Sequence, residues 1–309
     1  MFKKIISIMV LACSVIAPSY ASSLCGDKEV TLQVLGSGGP EIDDGRASTS
    51  YLIWVDGKSK VLVDMGPGSS VNFGKAGGQF EQLAAIIFTH LHVDHSADFP
   101  AFVKGSFFGN RRKDLFVFGP AANTLMPATS SFVKALFSEQ GAFPYLKGYI
   151  SQKNASEYKL ITKDVALKPH DQTDYRVNDA IHLKAVPVHH GPVAAVAWRF
   201  DILDCSITFS GDMNNNYQTL ASLAKNTDLL VMHNAVPESA AGVAANLHMK
   251  PSQIGEIARE SDAKKVIISH RMRRTVGKEA ETVRKIRRHY YGPLIFANDL
   301  DVFAVSSPK

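Results

Sequence analysis

Short apolar runs separated by glycine-bearing turns fill the first third of the chain, and apolar runs alternating with helix-spaced segments fill the last. Residues 31–35 read as a strand that stops at Gly36-Ser37-Gly38-Gly39-Pro40, where the backbone must turn tightly. Residues 51–55 and 60–64 flank Asp56-Gly57, a hairpin signal. Residues 66–78 hold five glycines and a proline, which predicts a mobile loop able to move over a site as a flap. Ala85-Ile86-Ile87-Phe88 is a continuous apolar run of the kind found in a strand buried on both faces. Residues 97–104 place Phe99, Phe102 and Val103 at helical spacing. Further strands are expected at 115–118, 181–188, 193–200, 206–209, 229–232 and 266–269, with a helix at 130–138. Pro251 opens another helix, which buries Ile254, Ile257 and Ala258. No linker, repeat or low-complexity run divides the chain, so the pattern is one α/β domain with layered sheets.

The N-terminus changes the compartment. Lys3 and Lys4 precede an apolar run over residues 5–18 and then Ser19-Tyr20-Ala21, the layout of a secretory signal peptide that is too short for a membrane span. The expected division is a leader over residues 1–21 and one domain over 22–309, periplasmic or secreted. Cys13 also offers a lipoprotein site, but it comes early within the apolar run. Loss of Lys3 and Lys4 with the leader leaves 32 basic against 29 acidic residues, so the net charge falls from +5 to +3. That mild balance does not argue for nucleic acid. Cys25 and Cys205 are then the remaining cysteines, and the reading favours two buried free thiols, although an exported compartment permits a pair.

Candidate chemistry concentrates in Thr-His-Leu-His-Val-Asp-His at residues 89–95. Neutral imidazole and carboxylate suit zinc and other first-row cations. His90 and His92, two apart in extended chain after a buried strand, can grip one ion; Asp94 and His95 fall on the other side and can hold a second. Three later strands also end in ligand types, namely His189-His190-Gly191, Ser210-Gly211-Asp212 and His270. Strand ends can converge on one rim, which is how α/β folds build sites.

With these motifs in order, the chain resembles the metallo-β-lactamase superfamily of binuclear metal hydrolases. The segments Leu35-Gly36-Ser37-Gly38, His190-Gly191, Phe209-Ser210-Gly211-Asp212 and that around His248 are similar to its ribonuclease Z and arylsulfatase-like branch. The resemblance implies a four-layer αββα sandwich and two divalent cations of the Zn2+ type. It implies that His90, His92 and His190 hold the first, that Asp94, His95 and His270 hold the second, and that Asp212 bridges them. His189 becomes a supporting residue, and Asp64 matches a carboxylate that orients a ligand imidazole. A hydroxide shared by the cations would be the nucleophile. His248 resembles the general acid that protonates the leaving oxygen.

Two departures narrow the branch. Where ribonuclease Z carries His-Glu-Ala, this chain has His233-Asn234-Ala235, so Asn234 can hydrogen-bond His248 but cannot raise its pKa by charge. His233 reads equally as a pocket residue or as buried polar filler. The bacterial enzyme inserts a tRNA-gripping arm before Ser-Gly-Asp, whereas here Phe200 leads through Asp201-Ile202-Leu203-Asp204-Cys205 into the next strand. Export and the missing arm argue against tRNA processing and against a nucleic-acid partner. Arg271, Arg273 and Arg274 follow His270 and are expected at the pocket mouth, favouring an anionic ester. The expectation is an exported phosphodiesterase or arylsulfatase-like hydrolase of a small anionic ester, with no membrane span and compatible with a homodimer. A lactonase or β-lactamase, a ribonuclease Z-like endonuclease, a mononuclear iron dioxygenase and a non-catalytic metal-binding scaffold are the alternatives.

Overall fold

The computed structural model describes residues 24–151 and 158–306, so the leader read at 1–21 lies outside the described residues. One sheet contains β1 (Val30–Gly36), β2 (Ser50–Val55), β3 (Lys58–Val63), β4 (Ala85–Ile87), β5 (Leu115–Pro120) and β6 (Leu160–Val165) in sequence order. The other contains β7 (Thr173–Asn178), β8 (Ile181–His190), β9 (Val193–Ile202), β10 (Cys205–Phe209), β11 (Leu229–His233), β12 (Val266–Ser269) and β13 (Leu294–Phe296), also in order. The last strand, β14 (Val302–Val305), returns to pair antiparallel with β1. Helices α1 (Ser69–Lys75), α2 (Val93–Ser96), α3 (Phe99–Gly105) and α4 (Thr129–Phe137) belong to the first half. Helices α5 (Leu220–Leu223), α6 (Gly242–Leu247), α7 (Pro251–Glu260) and α8 (Glu279–Ile286) belong to the second.

The period-2 alternation of the strands assigns residues to layers. In β3 and β4, Val61, Val63, Ala85 and Ile87 face the other sheet, while Leu62 and Ile86 face the helices. In β11 and β12, Leu229, Val231 and Ile267 point between the sheets, and Leu230, Met232, Val266 and Ile268 point outward. Both faces are covered, which is why these strands read as unbroken apolar runs. Phe73, Phe99, Phe102, Val133 and Phe137 cover the first sheet; Leu220, Ile254, Ile257 and Ile286 cover the second. The result is the four-layer αββα sandwich that the resemblance implied. Each fully buried aliphatic side chain contributes about 1.5–3 kcal/mol, so the inner cluster holds the two sheets against each other and the two outer clusters fix the helices to them.

Two expectations fail here. Residues 66–78 are not a flap, because the segment contains α1, whose Phe73 packs edge-on against Phe102 with centroids 5.2 Å apart. Its glycines serve packing: a Cβ on Gly66 would lie 2.2 Å from the carbonyl oxygen of Asp94, so only glycine lets this segment press on the backbone of the histidine motif. The cysteines are not free thiols either. Cys25, in the turn before β1, and Cys205, opening β10, form a disulfide with Cα atoms 5.3 Å apart across a separation of 180 residues. The fold brings together two positions that sequence distance kept apart, and the bond joins the start of the first sheet to the second.

Reading β9 into β10, only Leu203 and Asp204 separate the paired ends Ile202 and Cys205, so no arm is inserted between them.

Because the disulfide closes so long a loop, the Cys25→Ala/Cys205→Ala chain is expected to lose roughly 2–5 kcal/mol of stability. Urea midpoints of the two proteins, each without reductant, measure this; coincident curves would show that the bond adds nothing.

Candidate metal centre

Parallel pairing aligns the carboxyl ends of the central strands, and the candidate residues all lie there. Asp64 follows β3, His90 follows β4, His190 closes β8, Asp212 follows β10, His233 closes β11 and His270 follows β12. The sheets are joined at this rim: Val196 N–H donates to the Thr89 carbonyl at 2.9 Å, and the Trp198 indole N–H donates to the Phe88 carbonyl at 3.0 Å. Asp64 and His270 take left-handed backbone conformations, with φ of 54° and 50°. Such strain costs on the order of 1–3 kcal/mol per residue and is held by the surrounding structure. Gly211, also left-handed, lets the next residue, Asp212, approach; a Cβ there would meet Thr89 Cβ at 2.9 Å.

Two clusters form, each with potential ligand atoms within 4.8 Å of one another: His90, His92, His190 and Asp212 in one, and His95, Asp212, His233 and His270 in the other. Asp212 belongs to both. Its Oδ2 lies 3.7 Å from His190 Nε2, while its Oδ1 lies 3.8 Å from His95 Nε2 and 3.3 Å from His270 Nε2. Asp94 borders the second cluster, with Oδ2 3.2 Å from His270 Nε2 and 3.6 Å from His95 Nε2. His248 Nδ1 stands 3.6 Å from Asp212 Oδ2. All seven residues expected to hold metal are therefore brought together, with His248 beside them.

Supporting groups fix the imidazole tautomers. Asp64 Oδ2 accepts from His95 Nδ1–H at 2.8 Å, and the Leu247 carbonyl accepts from His190 Nδ1–H at 2.8 Å, so each presents Nε2 to the centre. Asp64 also accepts from the Thr89 N–H and hydroxyl at 2.8 and 2.7 Å. His95 Nε2, both ring nitrogens of His270 and His248 Nδ1 are buried without a hydrogen-bond partner. Buried polar atoms left so are costly, and divalent cations between the clusters would satisfy the Nε2 atoms of His95 and His270. The residues present thus fit two such ions by donor type and by spacing.

Electrostatics separates the two halves. Burial holds His90, His92 and His190 below the ordinary imidazole pKa, which leaves neutral donors. Burial also opposes charge on His95, but the carboxylates of Asp64, Asp94 and Asp212 outweigh it and raise His95 to about 9. His270 is likewise raised against burial by Asp212 and Asp94. Burial would raise Asp94, yet His95 and His270 hold it down at about 2. Burial pushes His248 down to about 3 despite Asp212, with His270, His190 and Arg274 adding to the effect.

Residues 43–270 match the metallo-beta-lactamase superfamily. The chain belongs to that superfamily. Among its relatives is the ribonuclease Z of Mycobacterium sp. (strain KMS), 27% identical over 260 residues that cover 78% of this chain and 83% of that one. The ribonuclease Z of Mycobacterium marinum is 31% identical over 195 residues, 60% of this chain and 62% of its own. In fold, the chain is similar to YhfI from Bacillus subtilis, with TM-score 0.67, 21% identity, and 89% and 99% of the two chains covered. The short form of human tRNase Z gives TM-score 0.68 at 14% identity, covering 90% of this chain and all (100%) of that one. This superfamily member is a metal-dependent hydrolase of the ribonuclease Z-like branch.

Some expected site residues sit elsewhere or act otherwise. Arg271 is buried and anchored to Glu279 at 2.8 Å, the Ala297 carbonyl and Asn298, so it braces the turn after His270 instead of lining a mouth. Arg273 pairs with Asp43 at the surface. Arg274 is half-buried, its Nε donating to the Ala235 carbonyl at 2.5 Å. Asn234 does not hold His248: its amide donates to the Val236 carbonyl at 3.1 Å and its Oδ1 is without a partner. His189 bonds Asn214 at 3.0 Å, away from the clusters, as a supporting residue would. Missed in the sequence was the contact of His233 Nδ1 with Asp212 Oδ1 at 2.7 Å, and that of its Nε2 with the Tyr51 hydroxyl at 3.0 Å. Only its position at a strand end beside the other ligands hinted at it.

After removal of cations with EDTA, His95 is expected to carry a proton at pH 7, because its pKa lies near 9. Zinc uptake must expel it. Titration calorimetry at pH 7 in buffers of different ionisation enthalpy should then show proton release, and apparent affinity should rise as pH increases toward 9. Affinity that falls over this range would contradict the assignment.

Proposed function

We propose that the chain is an exported, binuclear hydrolase of small anionic esters, phosphodiesters foremost, with aryl sulfates as related substrates. The observation that carries this reading is the position of Asp212, one oxygen toward each cluster. Bound there, divalent cations supply Lewis-acid polarisation of the ester and activation of water. The chain's own residues do the rest. His90, His92 and His190 form one neutral face; Asp94, His95 and His270 form the charged one; Asp212 fixes the distance between them. Asp64 and the Leu247 carbonyl hold His95 and His190 with Nε2 inward. His248, beside Asp212, is the side chain placed to give a proton to the leaving oxygen, but burial holds its pKa down at about 3, so that donation is weak at neutral pH. Arg274, close enough to depress the His248 pKa, offers positive charge to an anionic substrate.

The leader at 1–21 supports export, and so does the Cys25–Cys205 disulfide, since such bonds persist in oxidising compartments. N-terminal sequencing of protein recovered from a periplasmic extract is expected to begin at Ser22; an intact leader on cytosolic protein would refute it.

A second reading, RNA as substrate, is favoured by the relatives named ribonuclease Z. The two-residue β9–β10 connection supports the smaller substrate. Zinc-loaded protein assayed on bis(para-nitrophenyl) phosphate, para-nitrophenyl sulfate, a lactone, a β-lactam and a precursor tRNA with a 3′ trailer separates these readings. The phosphodiester is expected to lead, EDTA to abolish turnover, and His248→Ala to lower kcat by about 10²-fold, the low end for a general acid. Preference for the precursor tRNA would favour the second reading, and turnover of the lactone or lactam alone would sink both.

A further inference from the structure

Asp212 is the one ligand type that both clusters share, yet its carboxylate rotates about a single bond and nothing in its own backbone fixes which oxygen faces which cluster. His233 does so. Its ring closes β11, buried, with Nδ1 2.7 Å from Asp212 Oδ1 and the ring stacked on His270 at 4.9 Å between centroids. Its other nitrogen, Nε2, is 3.0 Å from the hydroxyl of Tyr51, a fully buried residue of β2 in the opposite sheet. The Asp212 carboxylate can only accept, so at 2.7 Å the imidazole proton sits on Nδ1 and is given to Oδ1. Nε2 is then the acceptor, and the Tyr51 hydroxyl donates to it and holds that tautomer.

His233 lies near enough to the second cluster to be counted among its donors. Both its nitrogens are engaged, whereas His95 Nε2 and His270 Nε2 have no partner. The geometry therefore places it behind Asp212 and not in the first ring of ligands.

We propose that His233, held in one tautomer by Tyr51, is a positioning residue that orients the Asp212 carboxylate between the clusters and so sets the affinity for the second cation. This rests on the two-cation reading above. Across the sheets, the chain runs from Tyr51 in one, through His233 in the other, to the shared ligand, so the packing of the two sheets bears directly on metal occupancy.

The test is zinc titration against a competing chelator, with bound zinc counted by atomic emission, on wild-type, His233→Ala, His233→Asn and Tyr51→Phe proteins. Wild-type is expected to take up two ions. His233→Ala should lose about 10–100-fold in affinity for the weaker ion, the usual cost of removing such a supporting partner, with the tighter ion unchanged. His233→Asn should recover most of this loss, because its amide N–H stands near where Nδ1–H stood, and asparagine does not replace imidazole as a zinc ligand. Tyr51→Phe should shift the same site in the same direction by a smaller factor, and it keeps the test decisive if His233→Ala fails to fold. Equal zinc binding by His233→Ala and wild-type would overturn the proposal. So would His233→Asn as weak as His233→Ala, which would make His233 a ligand. Failure of the parent reading is seen separately, as a single ion in wild-type protein.

Discussion

A rigid, dry rim on which buried carboxylates meet buried imidazoles is the constraint on which the rest of this structure depends. Asp64, Asp94 and Asp212 are all buried, and each is faced by ring nitrogens at 2.7–3.8 Å. Unpaired charges at such depth would cost several kcal/mol each. The arrangement persists because the two sheets place six strand ends within reach and the apolar layers on either side prevent relaxation. The same rigidity keeps Nε2 atoms of His95 and His270 without protein partners, poised for a cation instead.

Around that rim, much of the polar structure is support. Asp64 reaches from β3 to a histidine after β4 and also gathers Thr89. Leu247, from α6, fixes His190 through its carbonyl. Arg46 and Arg271 brace the turn after His270 from outside, with Arg46 Nη2 donating to the Arg271 carbonyl at 2.5 Å and Arg271 tied to Glu279. Most of these contacts join elements distant in the chain. The left-handed backbone of Asp64 and His270 is tolerated because the contacts on both sides define the position.

The region near His248 shows how burial weakens one proton donor in an otherwise closely packed site. With Asn234 turned to the Val236 carbonyl, Asp212 is the carboxylate beside His248, and burial outweighs its support, with His270, His190 and Arg274 also disfavouring a proton.

By itself the sequence determined the α/β class and singled out the candidate ligands that the fold brings together. Short apolar runs such as Val61-Leu62-Val63 and Leu229-Leu230-Val231 are local, so these strands could be read along the chain although not which face meets which layer, and the histidine motif carries its spacing within six residues. His190, Asp212 and His270 were legible as candidate ligands because each lies within three residues of the end of an apolar run. Only the tertiary structure decided what depends on contacts between distant segments. It paired Cys25 with Cys205 across 180 residues, turned the glycine-rich 66–78 segment into a packed helix against Phe102, and drew Arg271 inward to Glu279. It also set His233 between Tyr51 and Asp212, a contact 182 residues from one partner and 21 from the other. Side-chain direction and hydrogen-bond partnership are properties of the closed sandwich, and no local pattern along the chain encodes them.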